Sequence, residues 1–267
     1  MTQTVDQATA EVMAAKGVAL QEFIMHHMTN SREWTILPFL KVELPPYLTV
    51  HGVMLVIAAV LLLLAFGAAY RKQDAVPHGL TNLLEVLVLF IRNQIAIQFL
   101  GEKDGRRMAP LFCSFFFFIL CLNLMGLVPL FSAATANINV TAALASVTLA
   151  FMIFGGIYKN GPLGFFKAFA PHGVPWPVLV LLVPIEIIGL FIKSVALTIR
   201  LFANNLAGHI VIYSLLGLLT MFGLWALPAL GLALGLYFLE LLVCFLQAYI
   251  FTLLSAIFIG QVFHPEH

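Results

Sequence analysis

The chain has 267 residues, of which 62% are hydrophobic and only 9% charged, with a formal net charge of +1. A soluble domain carries about 25% charged residues, so this chain cannot clothe itself in polar surface, and lipid must replace water around most of it. The near-neutral charge excludes a nucleic-acid partner, which calls for a basic face. Cys113, Cys121 and Cys244 are scattered through apolar runs without metal-ligand spacing, so they read as small buried hydrophobes, and neither a metal nor a cofactor is expected.

Taken in order, residues 1–48 lack the basic start and apolar run of a signal peptide. They read as an extramembrane segment, partly helical, on the outer side. Residues 49–69 carry no Asp, Glu, Lys or Arg and are long enough to cross a bilayer, closing on Arg71 and Lys72. In 81–99, Leu83, Leu84, Leu87, Val88 and Ile91 form one apolar stripe while Glu85 and Arg92 share another face. That pattern predicts an amphipathic helix lying in the interface, with Glu85 and Arg92 anchoring it or meeting a partner protein. A charged linker, 101–107, leads to a second span at 109–130 and a third at 140–158. The many phenylalanines, with Phe115, Phe116, Phe117 and Phe118 in a row, are expected to be lipid-facing bulk.

A loop containing Lys159 and Lys167 comes next, and then 178–222 is nearly all apolar. As helix it would be roughly 67 Å long, against a hydrocarbon core of about 30 Å. No proline follows Pro184 within it, which favours one long tilted helix. A turn at 223–228 leads to a second long helix, 229–263. The expected fold is thus an all-α integral membrane protein of about five membrane-embedded helices plus the interfacial one, ending in a long, tilted antiparallel hairpin. Its parts are 1–48, the first three spans over 49–175, and the hairpin over 176–267. Arg71, Lys72, Arg92, Lys103, Arg106, Arg107, Lys159 and Lys167 all fall in loops on one side of that topology. The positive-inside rule makes this the inner side, with the N-terminus outside and the C-terminus inside.

The hairpin carries four charges at membrane depth, Glu186, Lys193, Arg200 and Glu240, and such residues are functional by default. The first three are spaced by seven, so they share a helix face, and Asn204 extends the line. Arginine cannot shed its proton, and Glu186 lies about 21 Å from Arg200 along the helix. With the turn centred between 225 and 226, Glu240 faces about residue 211, beside His209, and Gln247 faces about Asn204. Glu240 is then displaced by roughly 16 Å from the position opposite Arg200, so the arginine's partner is expected from another subunit. His209, Glu240, Asn204 and Gln247 make an outer polar region and Glu186 and Lys193 an inner one, with a fixed positive charge between. This is the layout of two offset half-channels with an electrostatic stop. A secondary transporter would show repeats with broken helices, and a protease would show a nucleophile–base pair or metal ligands. None is found, for Ser194 and Ser255 lack a convincing partner.

The stretch from Lys193 through Arg200-Leu-Phe-Ala-Asn204 to Gly208-His209 resembles the central motif of the subunit a family of rotary F-type ATP synthases. The resemblance continues in Glu240, in Gln247-Ala-Tyr-Ile-Phe251, and in Asn123-Leu-Met-Gly-Leu-Val-Pro129, covering about 50–263. It implies a non-catalytic, proton-conducting stator subunit of the Fo motor in a bacterial plasma membrane. Its partners would be a ring of c subunits, peripheral-stalk b subunits, the surrounding bilayer and, indirectly, the F1 sector. Arg200 matches the arginine that faces the c-ring carboxylates. His209 with Glu240 matches one of the two arrangements of His and Glu that members carry. Asn137 stands where some members place an acid. Histidine suits a proton relay near neutral pH, favouring H⁺ over Na⁺.

Overall fold

The computed structural model describes Val18 and residues 33–37, 40–45, 49–70, 79–128, 131–167, 169 and 176–264. Most of 1–32, part of the N-terminal segment expected to be partly helical, lies outside the described residues. Within them, Glu33–Leu37 (β1) and Leu40–Glu43 (β2) form an antiparallel ribbon with Glu33 opposite Glu43 and Thr35 opposite Lys41. All other regular structure among the described residues is helical. Helix α1 is Val50–Tyr70, α2 is Leu80–Phe90, and a π-helical turn at Ile91–Ile97 carries α2 into α3, Gln98–Leu127. A 3₁₀ turn at Ala134–Ala136 precedes α4, Ile138–Ala150, which passes through a second π turn, Phe151–Gly155, into α5, Gly156–Lys167. The hairpin is α6, Trp176–Phe222, a 3₁₀ turn at Gly223–Ala226, and α7, Leu227–Phe263. Five stretches are long and apolar enough to cross a membrane: Val50–Ala69, Leu80–Leu127, Ile138–Phe165, Pro177–Leu219 and Leu227–Phe263. The protein is therefore a multi-pass α-helical membrane protein.

Two segments expected as linkers are helical. In 101–107 only Gly101 leaves the helix, at φ 76° and ψ 171°, a region that glycine alone enters without strain. The helix resumes at once, its first turn braced by an exposed Glu102–Arg106 pair at 2.8 Å. Lys159 and Lys167 likewise sit within α5, which is interrupted only at Gly161 and restarts on Pro162, a residue suited to a first helical turn because its missing N–H has no partner there anyway. Of the predicted interfacial stripe, Ile91 is buried while Leu83 is exposed. The buried side of this helix lies further along, at Ile91, Ile95, Ala96 and Leu100.

The chain divides into two compact units. One comprises Met1–Ile57, Leu122–Asn137 and Phe202–Phe245; the other comprises Ala58–Cys121, Ile138–Leu201 and Leu246–His267. In the first, Met54, Met125, Ala134 and Ala233 are buried, and the Tyr237 hydroxyl donates to the Leu127 carbonyl at 3.0 Å. In the second, the phenylalanine run is core rather than lipid-facing, for Phe115, Phe116 and Phe117 are all buried. Consecutive residues point around a helix in steps of about 100°, so burial of all three means that α3 is packed on several sides. Phe117 meets Phe66 of α1 edge-on at 5.0 Å, and Phe115 meets Phe251 of α7 at 5.6 Å. The end of α7 is also tied down. His264 lies with Nε2 3.0 Å from the Leu100 carbonyl, 3.3 Å from Asp104 and 2.8 Å from Lys159 Nζ, and Lys159 itself pairs with Asp104.

Gly101→Ala forces a Cβ into a backbone conformation that costs about 1–3 kcal/mol. The expected result is a lower thermal midpoint of the solubilised protein. Gly67→Ala, at a helical glycine with open space around it, is expected to leave the midpoint unchanged.

Candidate functional site

In the first unit, α6 and α7 close on one another where α6 has no side chain. A Cβ built on Gly208 would stand 2.6 Å from the Glu240 carboxyl carbon, so glycine is what lets that carboxylate lie against the α6 backbone. Glu240 therefore meets Gly208, next to His209 and three positions from the residue 211 that a turn-centred register predicts. His209 is buried, its ring stacked on Tyr213 at 5.9 Å between centroids. Its Nε2 stands 3.3 Å from where a Cβ on Gly126 would be, so a second glycine, on α3, makes room for the imidazole. His209 Nε2 and both carboxylate oxygens of Glu240 are buried without a hydrogen-bond partner among the described residues. Buried polar atoms are otherwise nearly always satisfied. An acid and a base left this way stand ready for water or an exchanging proton. Asn204 lies exposed on α6, beside exposed Ala203 and Ala207.

A network beside this pair went unassigned in the sequence reading. Asn205 Nδ2 donates to the Thr135 hydroxyl, which donates to Asn123 Oδ1 at 2.8 Å. All three residues are buried. His51 on α1, 2% exposed, meets the Ser132 hydroxyl at 3.3 Å. Asn137 ends the 3₁₀ turn, its N–H donating to the Ala134 carbonyl at 3.1 Å. Polar side chains paired over long sequence separations leave no local spacing signal. Gly208 does leave one, since a mid-helix glycine costs about 1 kcal/mol relative to alanine and so asks for a packing reason.

In the second unit, Arg200 and Glu186 are exposed on α6, and neither has a hydrogen bond or ion pair among the described residues. Lys193 is half-buried between them in sequence. Its Nζ donates to Gln261 Oε1 at 2.9 Å and lies 5.5 Å from the centre of the Phe258 ring. Exposed Ala196, one helical turn from Arg200, keeps the face beside the guanidinium low. Gln247 is buried with its amide nitrogen unpartnered. The opposite side of α6 is anchored by Ser194, which donates to the Ala145 carbonyl at 3.1 Å, and Thr148 and Ser255 meet at 3.0 Å nearby on α4 and α7. Ser255 and Ser194 are thus packing groups. No group of three potential metal ligands occurs among the described residues.

Residues 52–260 match the family model described as ATP synthase A chain. Curated relatives named ATP synthase subunit a include one from Anaeromyxobacter sp., 49% identical over 231 residues that span 85% of this chain and 56% of the relative. Another, from Chloroherpeton thalassium, is 46% identical over 259 residues, or 91% of this chain and 77% of the relative. A third, from Myxococcus xanthus, is 44% identical over 219 residues, covering 80% and 72%. The chain spans little more than half the length of the Anaeromyxobacter relative.

Because the Gly208 contact is with a single side chain, its cost is separable. Gly208→Ala is expected to lower the thermal midpoint, and adding Glu240→Ala is expected to return part of that loss, with a coupling of about 1 kcal/mol in the double-mutant cycle. Additive effects would show that the two helices do not approach at this point.

Proposed function

Since the chain belongs to the ATP synthase A chain family, we propose that it is the ion-conducting stator subunit of a rotary ATP synthase. In this reading it carries out no bond-breaking chemistry. It sits in a bacterial plasma membrane with its N-terminus outside and its C-terminus in the cytoplasm. It works against a ring of c subunits, held by peripheral-stalk b subunits and coupled through the ring to the F1 sector.

The observation that carries the reading is Arg200, an exposed guanidinium within a 47-residue apolar helix, to which no described residue supplies an anion. A permanent cation in low dielectric needs a counter-charge close by. A membrane-embedded carboxylate on a neighbouring subunit meets that need, and the flanking alanines let it come near. A proton from outside enters through His209 and Glu240, whose buried atoms have no protein partners, with Asn204 and Gln247 along the same outer half-channel. It is handed to a c-subunit carboxylate, which loses its charge and can turn into lipid. After the ring has carried it round, the proton leaves on the Glu186 and Lys193 side. The emptied carboxylate is then drawn to Arg200, whose fixed charge also repels a proton passing straight between the half-channels. An imidazole beside a carboxylate favours H⁺ as the ion over Na⁺.

Arg200→Ala in an assembled complex is expected to reduce ATP-driven proton uptake by inverted vesicles at least about tenfold, the scale of losing a charge-assisted hydrogen bond worth roughly 1.5–3 kcal/mol. Assembly is checked by the recovery of the other subunits. Unchanged uptake would assign the arginine a structural role and overturn the half-channel reading.

A further inference from the structure

The second unit holds a cavity of about 460 Å³ that the ion path does not use. It is within the range of small-ligand sites, roughly 300–1,000 Å³. Much of its lining is apolar: Met108 of α3, Phe151 and Phe154 of the π turn, and Phe263 at the end of α7. Asp104, Arg107, Tyr158 and Lys159 also line it.

The charges in the lining do not cancel. Lys159 is paired with Asp104 and close to His264. Arg107 is exposed, and no described carboxylate lies within ion-pair distance of it. One net positive charge thus remains in the lining of a largely apolar cavity. Phe154 and Tyr158, one helical turn apart, are 71% and 88% exposed. Tyrosine favours the headgroup level of a membrane, with its ring in hydrocarbon and its hydroxyl in the polar layer. A second cavity, of about 610 Å³ and lined by Leu62, Phe66, Phe117 and Leu144 among others, has no charged residue among its described lining. The two cavities thus differ in that only the first carries charge.

We infer that the Arg107–Phe154–Tyr158 cavity is a binding site for an anionic phospholipid. The acyl chain lies along Phe151 and Phe154, and the headgroup phosphate accepts hydrogen bonds from the Arg107 guanidinium, whose planar fork matches phosphate oxygens. Basic pockets between membrane helices bind anionic headgroups in this way. The π turn contributes by widening the helix at Phe151–Gly155, and such turns recur at functional sites. The inference is independent of the half-channel reading, since none of these residues belongs to the ion path.

The test is lipid retention by the full chain, purified with its co-extracting subunits in mild detergent and analysed by mass spectrometry. Wild type is expected to retain anionic phospholipid in preference to zwitterionic, and Arg107→Gln to lower the retained anionic lipid about fivefold. Arg106→Gln, whose guanidinium pairs with Glu102 instead, is expected to retain as much as wild type. Equal retention by Arg107→Gln and wild type would overturn the proposal. A photo-crosslinking residue at Tyr158 provides a measurement in an otherwise native chain. Attachment to anionic lipid supports the site, and attachment to a polypeptide would mean that a partner subunit occupies it.

Discussion

Hydrocarbon cannot accept or donate a hydrogen bond, and the organisation of this protein follows from that lack. Each backbone amide at membrane depth must be satisfied within its own segment, so the apolar runs are helices throughout. Side chains face the same requirement, and most meet it inside the chain. Ser194 reaches a carbonyl of α4, Thr148 meets Ser255, and Asn205, Thr135 and Asn123 satisfy one another in series. Against this background the exceptions stand out. His209 Nε2, both Glu240 oxygens and the Gln247 amide nitrogen are buried with no partner among the described residues, and the exposed Arg200 and Glu186 side chains find none there either. Packing alone does not account for the buried ones, because leaving a buried polar atom unpaired costs free energy.

Helix existence and order were legible because they rest on local composition: runs of apolar residues of spanning length, closed by charge or by glycine and proline. The hairpin's register was legible too, since a short turn fixes which residues face each other, and Glu240 lies within three positions of its expected partner. Other features were not. The charged stretch after Gly101 looks like a linker by composition, but an i,i+4 pair and the immediate restart of the helix make it a first turn. Phe115, Phe116 and Phe117 look lipid-facing until it is known how many neighbours α3 has, and a single helix cannot report that. His264 gives no sign of its ties because its partners, Leu100, Asp104 and Lys159, are more than a hundred residues away in sequence.

The candidate site was half legible for a related reason. Charged residues in an apolar run announce themselves individually, so Arg200, Glu186, Lys193 and Glu240 stand out on a first pass. What shapes the space around them is the absence of side chains. Gly208 admits the Glu240 carboxylate and Gly126 admits the His209 ring. A glycine inside a helix marks itself in the sequence, but its meaning depends on what lies across from it.

The two π turns, Ile91–Ile97 and Phe151–Gly155, have a consequence for how this chain tolerates changes in length. A π turn holds one residue more than the α turn it replaces. Removing one residue there can tighten the turn to α while the flanking segments keep the faces they present. The same deletion within α6 would rotate everything beyond it by about 100°, carrying an inward-facing group such as His209 to another side of the helix. Single-residue insertions and deletions in relatives of this chain should therefore gather at these two turns and be missing from the hairpin.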